Sequence, residues 1–439
     1  MSTAEATTEP GGTPSAPPKT HYQSQSMFWV GVLIVVGIFA TTLPQPAAMG
    51  NLPLKFILIK QLNCTPTVAS GFFTICGFFW YLKPLAGILT DAVPLFGTRR
   101  RNYLLLSALL AGVCWVGMIF VPHTYTGLLA GAITVNLFMV MASTVVGAFL
   151  VELGQSLGAT GRLTAVRQVT FYACSLITSP LGGRIATGSL LLLGTISAAG
   201  VVSVIPFAFL LMREKPVTQS PGESLANSKL QLSTIFKNRP FWFAIAFIAL
   251  FYFAPGFNTL QNFRQLKELH LTTVQVGNLG FTNAAGSVIA TLTYALIVRR
   301  LALKILLAFG VATTAISVFF YIFYNSYALG SAIDFQYGFF FGFCEVALID
   351  LAARATPAGC EGIGYSCILS MRNLSGNLSD TFGAYLHDAF RFGWSTMVTL
   401  NGATTAIVLI LLPFMPKMLM GSRDGSKPNT ENTGEPQAA

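Results

Sequence analysis

The chain has 439 residues, 53% hydrophobic and only 10% charged, with a mean hydropathy of +0.64 and a formal net charge of +10. A soluble domain carries about 25% charged residues, so a soluble enzyme, a nucleic-acid module and a disordered scaffold are all excluded. Roughly 230 apolar residues suffice for twelve membrane spans of ~20 residues each, and the 41 glycines suit closely packed membrane helices.

Residues 1–26, rich in Pro, Gly, Ser and Thr, read as a disordered cytoplasmic tail. They lack the basic start of a signal peptide, so the apolar stretch from Met27 is expected to be a retained span. Hydropathy predicts spans at 27–49, 67–89, 103–121, 126–150, 163–186 and 189–212, then at 240–262, 273–298, 303–323, 327–352, 362–387 and 394–419. The short amphipathic segment 52–62 is expected on the surface between the first two spans. The polar stretch 213–239 predicts a cytoplasmic linker between an N-terminal six-helix half (27–212) and a C-terminal one (240–420). Residues 421–439 predict a second disordered cytoplasmic tail.

With both termini placed in the cytoplasm, eighteen lysines and arginines fall in inside segments and six in outside ones. That bias predicts an inside N-terminus and accounts for most of the +10, which sets nucleic acid aside as a partner. The seven cysteines are scattered without a CxxC pair, and the four histidines lie outside the apolar cores. No disulfide framework, metal site or cofactor is implied. The expected setting is the lipid bilayer of a bacterial-type inner (plasma) membrane, multi-pass and monomeric.

The strongest local signal is Lys83-Pro84-Leu85-Ala86-Gly87-Ile88-Leu89-Thr90-Asp91, followed by VPLFGTRRRNYLLLS. Gly87 permits close helix contact, and Asp91 is placed to pair with Arg99, Arg100 and Arg101 or to cap a neighbouring helix. Such a cluster can latch one side of a bundle, although topology alone would also explain the arginines. The candidate gating residues are Lys83, Gly87, Asp91, Arg99, Arg100, Arg101, Glu152, Arg167 and Glu361. The basic turn recurs as Arg299-Arg300 after the eighth span. Two parallel six-span halves are the architecture of the major facilitator fold, with substrate held between them near mid-membrane. The predicted fold is therefore an all-α polytopic membrane protein of that type.

These residues resemble the folate–biopterin transporters. The run KPLAGILTDAVPLFGTRRRNYLLLS is similar to that family's span 2–3 signature. Pro357-x-Gly359-x-Glu361-Gly362 with Ser370-Met371-x-Asn373-Leu374 resembles its turn before span 11, and FYFAPGFNTLQNFRQLKELHLTTVQVGNLG is a looser match through spans 7 and 8. One landmark departs. Where the family carries D-(A/S)-L-V-V-E-x-A-R at the end of span 4, this chain reads Gly147-Ala148-Phe149-Leu150-Val151-Glu152-Leu153-Gly154-Gln155. The acid is kept at Glu152, while the intramembrane Asp has become Gly147 and the Arg has become Gln155.

Charge inside a span is costly, at ~2.5–3.5 kcal/mol for a carboxylate at the bilayer centre, and so marks candidate function. Asp334 and Glu345 lie eleven residues apart in span 10, three turns on one face. Span 11 carries Ser366, Ser370, Asn373, Asn377 and Asp380 as one polar stripe, read as lining a cavity rather than only joining helices. Rise per residue places Glu345 and Arg372 at depths where they can pair. Asp334 and Asp380 fall at a common depth, where a shared pocket would make one of them a proton acceptor. Asp334, Glu345, Arg372 and Asp380 are the candidate coupling residues. Gln168, Tyr172, Ser175, Asn258, Asn262, Ser370, Asn373 and Asn377 are the candidate substrate-binding residues, with the breaks at Pro44 and Pro255-Gly256 expected to expose carbonyls. The expected function is a secondary transporter of a small organic solute by alternating access, with protons as a possible co-substrate. Alternatives are a carrier of another metabolite (a sugar, amino acid or drug) and a non-transporting receptor or scramblase on the same fold. No enzyme constellation is present.

Overall fold

The structure, a computed structural model, describes residues 27–98, 100–156, 160–212, 214, 221–298, 300–357, 360–416 and 419. Both expected tails, and Arg99 of the basic turn, lie outside them. The described residues are almost wholly helical, with one isolated bridge between Leu95 and Thr98.

Each predicted span is a helix or a broken series of helices. Span 1 is α1 (Met27–Thr42), a break, α2 (Asn51–Phe56) and a π-helical turn to Gln61. Span 2 is α3 (Pro66–Cys76), α4 (Phe78–Tyr81) and α5 (Lys83–Ala92), interrupted at Gly77 and at Leu82 before Pro84. Spans 3, 4 and 5 are α6 (Arg101–Met118), α7 (Tyr125–Ser156) and α8 (Thr160–Ile185). Span 6 is α9 (Leu190–Val202) with α10 (Val204–Leu211). The linker contains α11 (Pro221–Lys237), which meets the next helix at a 76° bend. Span 7 is α12 (Arg239–Tyr252), a break, α13 (Asn258–Phe263) and a π-helical turn to Glu268. Spans 8 to 12 are α14 (Thr273–Ile297), α15 (Leu303–Phe319), α16 (Tyr327–Ala355), α17 (Glu361–Phe390) and α18 (Trp394–Ile407), with 3-10 turns extending α15 and α18.

Residues 52–62 correct the expectation of a surface segment. Leu52, Leu54, Ile57, Leu58 and Ile59 are buried, and so is Lys55. The segment completes span 1 beyond its proline break, and its Lys55 faces the other half while Lys60 and Gln61 at its end are exposed. Span 7 repeats this design. Both π-helical turns end in a leucine followed by a left-handed residue, Asn63 (φ 49°) and His270 (φ 50°). Thr65 and Thr272 then cap the next helices.

Six segments are each apolar and long enough to cross a membrane alone, and they belong to spans 3, 4, 6, 8, 9 and 12. Spans 1, 2, 5, 7, 10 and 11 fall short because they are broken or polar. Those six, together with α14 of span 8, carry the interface and the candidate site. Each half has its own apolar core: one in the N-terminal half from Val30 to Met212, two in the C-terminal half. A small fourth cluster joins Leu52, Ile59 and Ala186 to Leu266 and Val276 across the halves.

The halves touch most closely at the end of the bundle away from Met27 and Leu419. A Cβ on Gly183 of α8 would lie 2.5 Å from the Thr273 carbonyl, and one on Gly277 of α14 would lie 2.6 Å from the Ser179 carbonyl. Only glycine permits these backbones to approach so closely. Beside them, Asp388 of α17 accepts from the Thr67 backbone N–H (2.9 Å) and hydroxyl (2.6 Å) of α3. This end is sealed.

Candidate functional site

Glu345 is buried midway along α16 and accepts hydrogen bonds from both halves. The Tyr172 hydroxyl of α8 donates to its Oε2 (2.7 Å), and the Arg372 guanidinium of α17 pairs with its Oε1. Arg372 also lies over the Tyr252 ring of α12, 5.0 Å from its centroid, so four spans converge on one buried ion pair. The Tyr252 hydroxyl faces the Arg372 guanidinium, but neither it nor Arg372 Nε makes a well-formed hydrogen bond. Beside them is a cavity of about 10 Å³, lined by Tyr252, Leu348, Ile368 and Arg372 among others. Buried polar atoms left without a hydrogen bond cost about 1–3 kcal/mol each, so a poorly bonded pair at mid-span is open to a better partner.

The other two intramembrane acids do not share a pocket. Asp334 accepts from the hydroxyls of Tyr321 (2.6 Å) and Tyr324 (2.9 Å) and from the Gln261 amide (3.1 Å). Asp380 accepts from the Thr259 backbone N–H (2.9 Å) and hydroxyl (2.5 Å). Thr259 and Gln261 are two residues apart on α13, about 200° around a helix, and so they point to different faces. The expected like-charge pair is thereby replaced by two separately satisfied carboxylates. Asp380 closes the Pro255-Gly256 break. Around it the Gly256 N–H donates to the Ser379 carbonyl (3.0 Å), and Asn401 donates to the Pro255 carbonyl (2.9 Å). In span 1 the Pro44 carbonyl likewise accepts from the Trp115 indole (2.8 Å). Neighbouring spans thus satisfy the carbonyls expected to face a cavity, as broken membrane helices require.

The polar stripe of span 11 is likewise engaged between helices in this state. Ser370 donates to the Trp80 carbonyl (3.2 Å), and Asn377 donates to the Tyr81 hydroxyl (2.9 Å). Thr74 donates to the Asn377 carbonyl (3.0 Å). Asn373 accepts a long contact from Arg372 (3.4 Å). Gln168 is buried one turn before Tyr172, Ser175 is half-buried and Asn258 is exposed. Asn262 accepts from the Lys55 ammonium (2.8 Å). These two residues, 207 apart, occupy matching positions in the repeated design of spans 1 and 7. Lys55 carries no sign of this role in the linear sequence except that repeat.

Of the gating candidates, Gly87 packs against Thr144 with a Cβ position 3.7 Å away. The backbone N–H groups of Arg100 and Arg101 donate to Glu214 (3.1 and 3.0 Å), which caps the start of α6. Arg101 also lies over the Phe209 ring. Glu214 was not expected, and it ties the basic turn to its own half. Lys83 donates to Ser143 (3.1 Å) and sits 5.4 Å from the Trp80 ring centroid. Arg167 reaches Tyr365 of the other half (3.5 Å). The side chains of Asp91, Glu152 and Glu361 lie outside the described residues.

The chain and its fold are matched by known proteins. The profile of the BT1 family covers residues 47–427. The chain belongs to the BT1 family. It is 23% identical over 418 residues to a folate-biopterin transporter of Synechocystis sp., an alignment covering 88% of this chain and 81% of that one. It is 25% identical to probable folate-biopterin transporter 7 of Arabidopsis thaliana, over 76% of this chain and 80% of that one. Among solved structures it resembles a D-xylose-proton symporter (TM-score 0.64, 17% identity, 89% of this chain and 98% of that one). A nucleoside transporter aligns at TM-score 0.64 and 14% identity, over 88% of this chain and all of that one. The fold is that of the major facilitators. Family and fold make this BT1 member a multi-pass membrane transporter of a small solute, not an enzyme.

Proposed function

We propose that this transporter carries a small planar organic solute of the folate–pterin class by alternating access, coupled to protons through Glu345. The observation that carries the reading is the cross-half junction of Tyr172, Glu345 and Arg372 beside the poorly bonded Arg372 Nε and Tyr252 hydroxyl. A solute entering between the halves would take up those two donors and stack on Tyr252 or Tyr172. The charged and titratable groups facing Glu345 are Tyr172, Tyr252 and Arg372. Protonating Glu345 would release Arg372 from its ion pair and loosen the one mid-span hydrogen bond that Glu345 makes to the other half, letting the halves rock. Asp334 and Asp380 hold structure instead, since each is committed to neutral donors around the break in span 7. The lysine and arginine bias supports a plasma-membrane orientation with both termini in the cytoplasm. One chain supplies both halves of the pathway, which supports a working monomer.

The test is counterflow and net uptake of labelled pterins and folates in proteoliposomes. Saturable counterflow is expected, as is net uptake driven by an inward proton gradient. Glu345→Gln should keep counterflow while losing the response to the gradient. Uptake that is indifferent to pH in the wild type, or a gradient response that survives Glu345→Gln but is lost in Asp380→Asn, would move the coupling site elsewhere.

A further inference from the structure

Lys83 is nine-tenths buried at the break between α4 and α5, and Ser143 is its one hydrogen-bond acceptor among the described residues. Its other support is the Trp80 ring, itself fixed by an indole hydrogen bond to Asn136 (2.9 Å). Arg167 lies close enough for the two positive charges to repel, and it too meets only a hydroxyl, that of Tyr365. No carboxylate among the described residues pairs with either cation. Two buried or half-buried cations held together without a counter-charge are costly, and a bound anion would relieve that cost. The space for one is present. Gly147 lies one helical turn beyond Ser143 on the same face of α7, and a Cβ there would meet nothing within 4 Å.

We propose that Lys83 and Arg167, with the open space at Gly147, form an anion-binding subsite that takes a carboxylate or phosphate group of the transported solute. The assignment rests on the transport reading and deepens it: Arg372 and Tyr252 hold the body of the solute, while this subsite selects for an acidic substituent. Trp80 and Asn136 position the Lys83 ammonium rather than touch the solute.

The test is thermal stabilisation of the purified full chain by pterin-6-carboxylate and by neutral 6-hydroxymethylpterin. The wild type should bind the carboxylate at least tenfold more tightly. Lys83→Gln should equalise the two, whereas Lys83→Arg should keep the preference. Gly147→Asp should weaken the carboxylate about tenfold and spare the neutral pterin, because its own carboxylate fills the space. A preference unchanged in Lys83→Gln and Gly147→Asp overturns the subsite while leaving the transport reading intact. If neither pterin stabilises the wild type, the pterin part of the functional reading fails, and benzoate and inorganic phosphate then decide the subsite. Stabilisation by these anions that is lost in Lys83→Gln supports it, and none, or equal stabilisation in both proteins, overturns it.

Discussion

Between residues 27 and 212 the chain carries nine basic and two acidic side chains, and between 240 and 419 it carries nine and seven. The backbones of the two halves repeat the break, π-helical turn and left-handed residue of spans 1 and 7. Their charges do not repeat. In the C-terminal half each buried carboxylate is given donors: Glu345 has Arg372, Asp334 has two tyrosines and Asp380 has a backbone N–H. In the N-terminal half Lys55, Lys83 and Arg167 face the interface, and among the described residues each hydrogen-bonds only to neutral groups. Duplicated spans therefore supply a scaffold, and the divergence of a few intramembrane residues makes one half self-neutral and the other electropositive. An interface of that kind favours a solute that brings negative charge with it.

Substitutions can break this contrast to very different degrees. The largest effect is expected from Glu345→Ala, which strands Arg372 in the bilayer. Removing one member of a buried pair costs about 3–5 kcal/mol, so the melting temperature should fall sharply and recover in Glu345→Ala with Arg372→Met. Asp380→Ala should follow, at about 1–3 kcal/mol, because it frees a buried backbone N–H at the span 7 break; Asp380→Asn, which can still accept, should lose less. Thr74→Val, which deletes the inter-half hydrogen bonds to the Asn377 carbonyl and the Thr381 hydroxyl, should cost about 1 kcal/mol, at ~0.6 kcal/mol for each such bond in membranes. The smallest stability change is expected for Lys83→Met. It frees only the Ser143 hydroxyl and leaves no charge unpaired, so stability should stay within ~0.5 kcal/mol of wild type or rise slightly. A loss comparable to that of Glu345→Ala would show that Lys83 has a hidden counter-charge and would erase the contrast between the halves.

Much of the architecture was legible along the chain because a membrane span must be long and apolar, a constraint that acts on contiguous residues. The spans that failed as uniform apolar helices were the informative ones. Their prolines, glycines and polar stripes marked spans 1, 2, 5, 7, 10 and 11 as the interior of the protein. The depth of Glu345 and Arg372 followed from helical rise, which is also a local property. Segment 52–62 was misplaced because amphipathicity is the same whether the polar face meets water or another protein half. Lys55 faces Asn262, and no local pattern distinguishes that from facing solvent.

By itself, then, the sequence determined a helical membrane bundle in two halves, its family resemblance and the small set of intramembrane charges. Those properties depend on composition, periodicity and spacing within single spans. Tertiary structure alone decided which charges meet. It joined Glu345 to Tyr172 across the halves, separated Asp334 from Asp380 on opposite faces of α13, and turned the span 11 stripe onto span 2. It also left Lys83 and Arg167 near each other with no acid paired to either among the described residues. Partnership between side chains more than a hundred residues apart is set by how helices rotate and cross, and the pattern along one helix does not encode that.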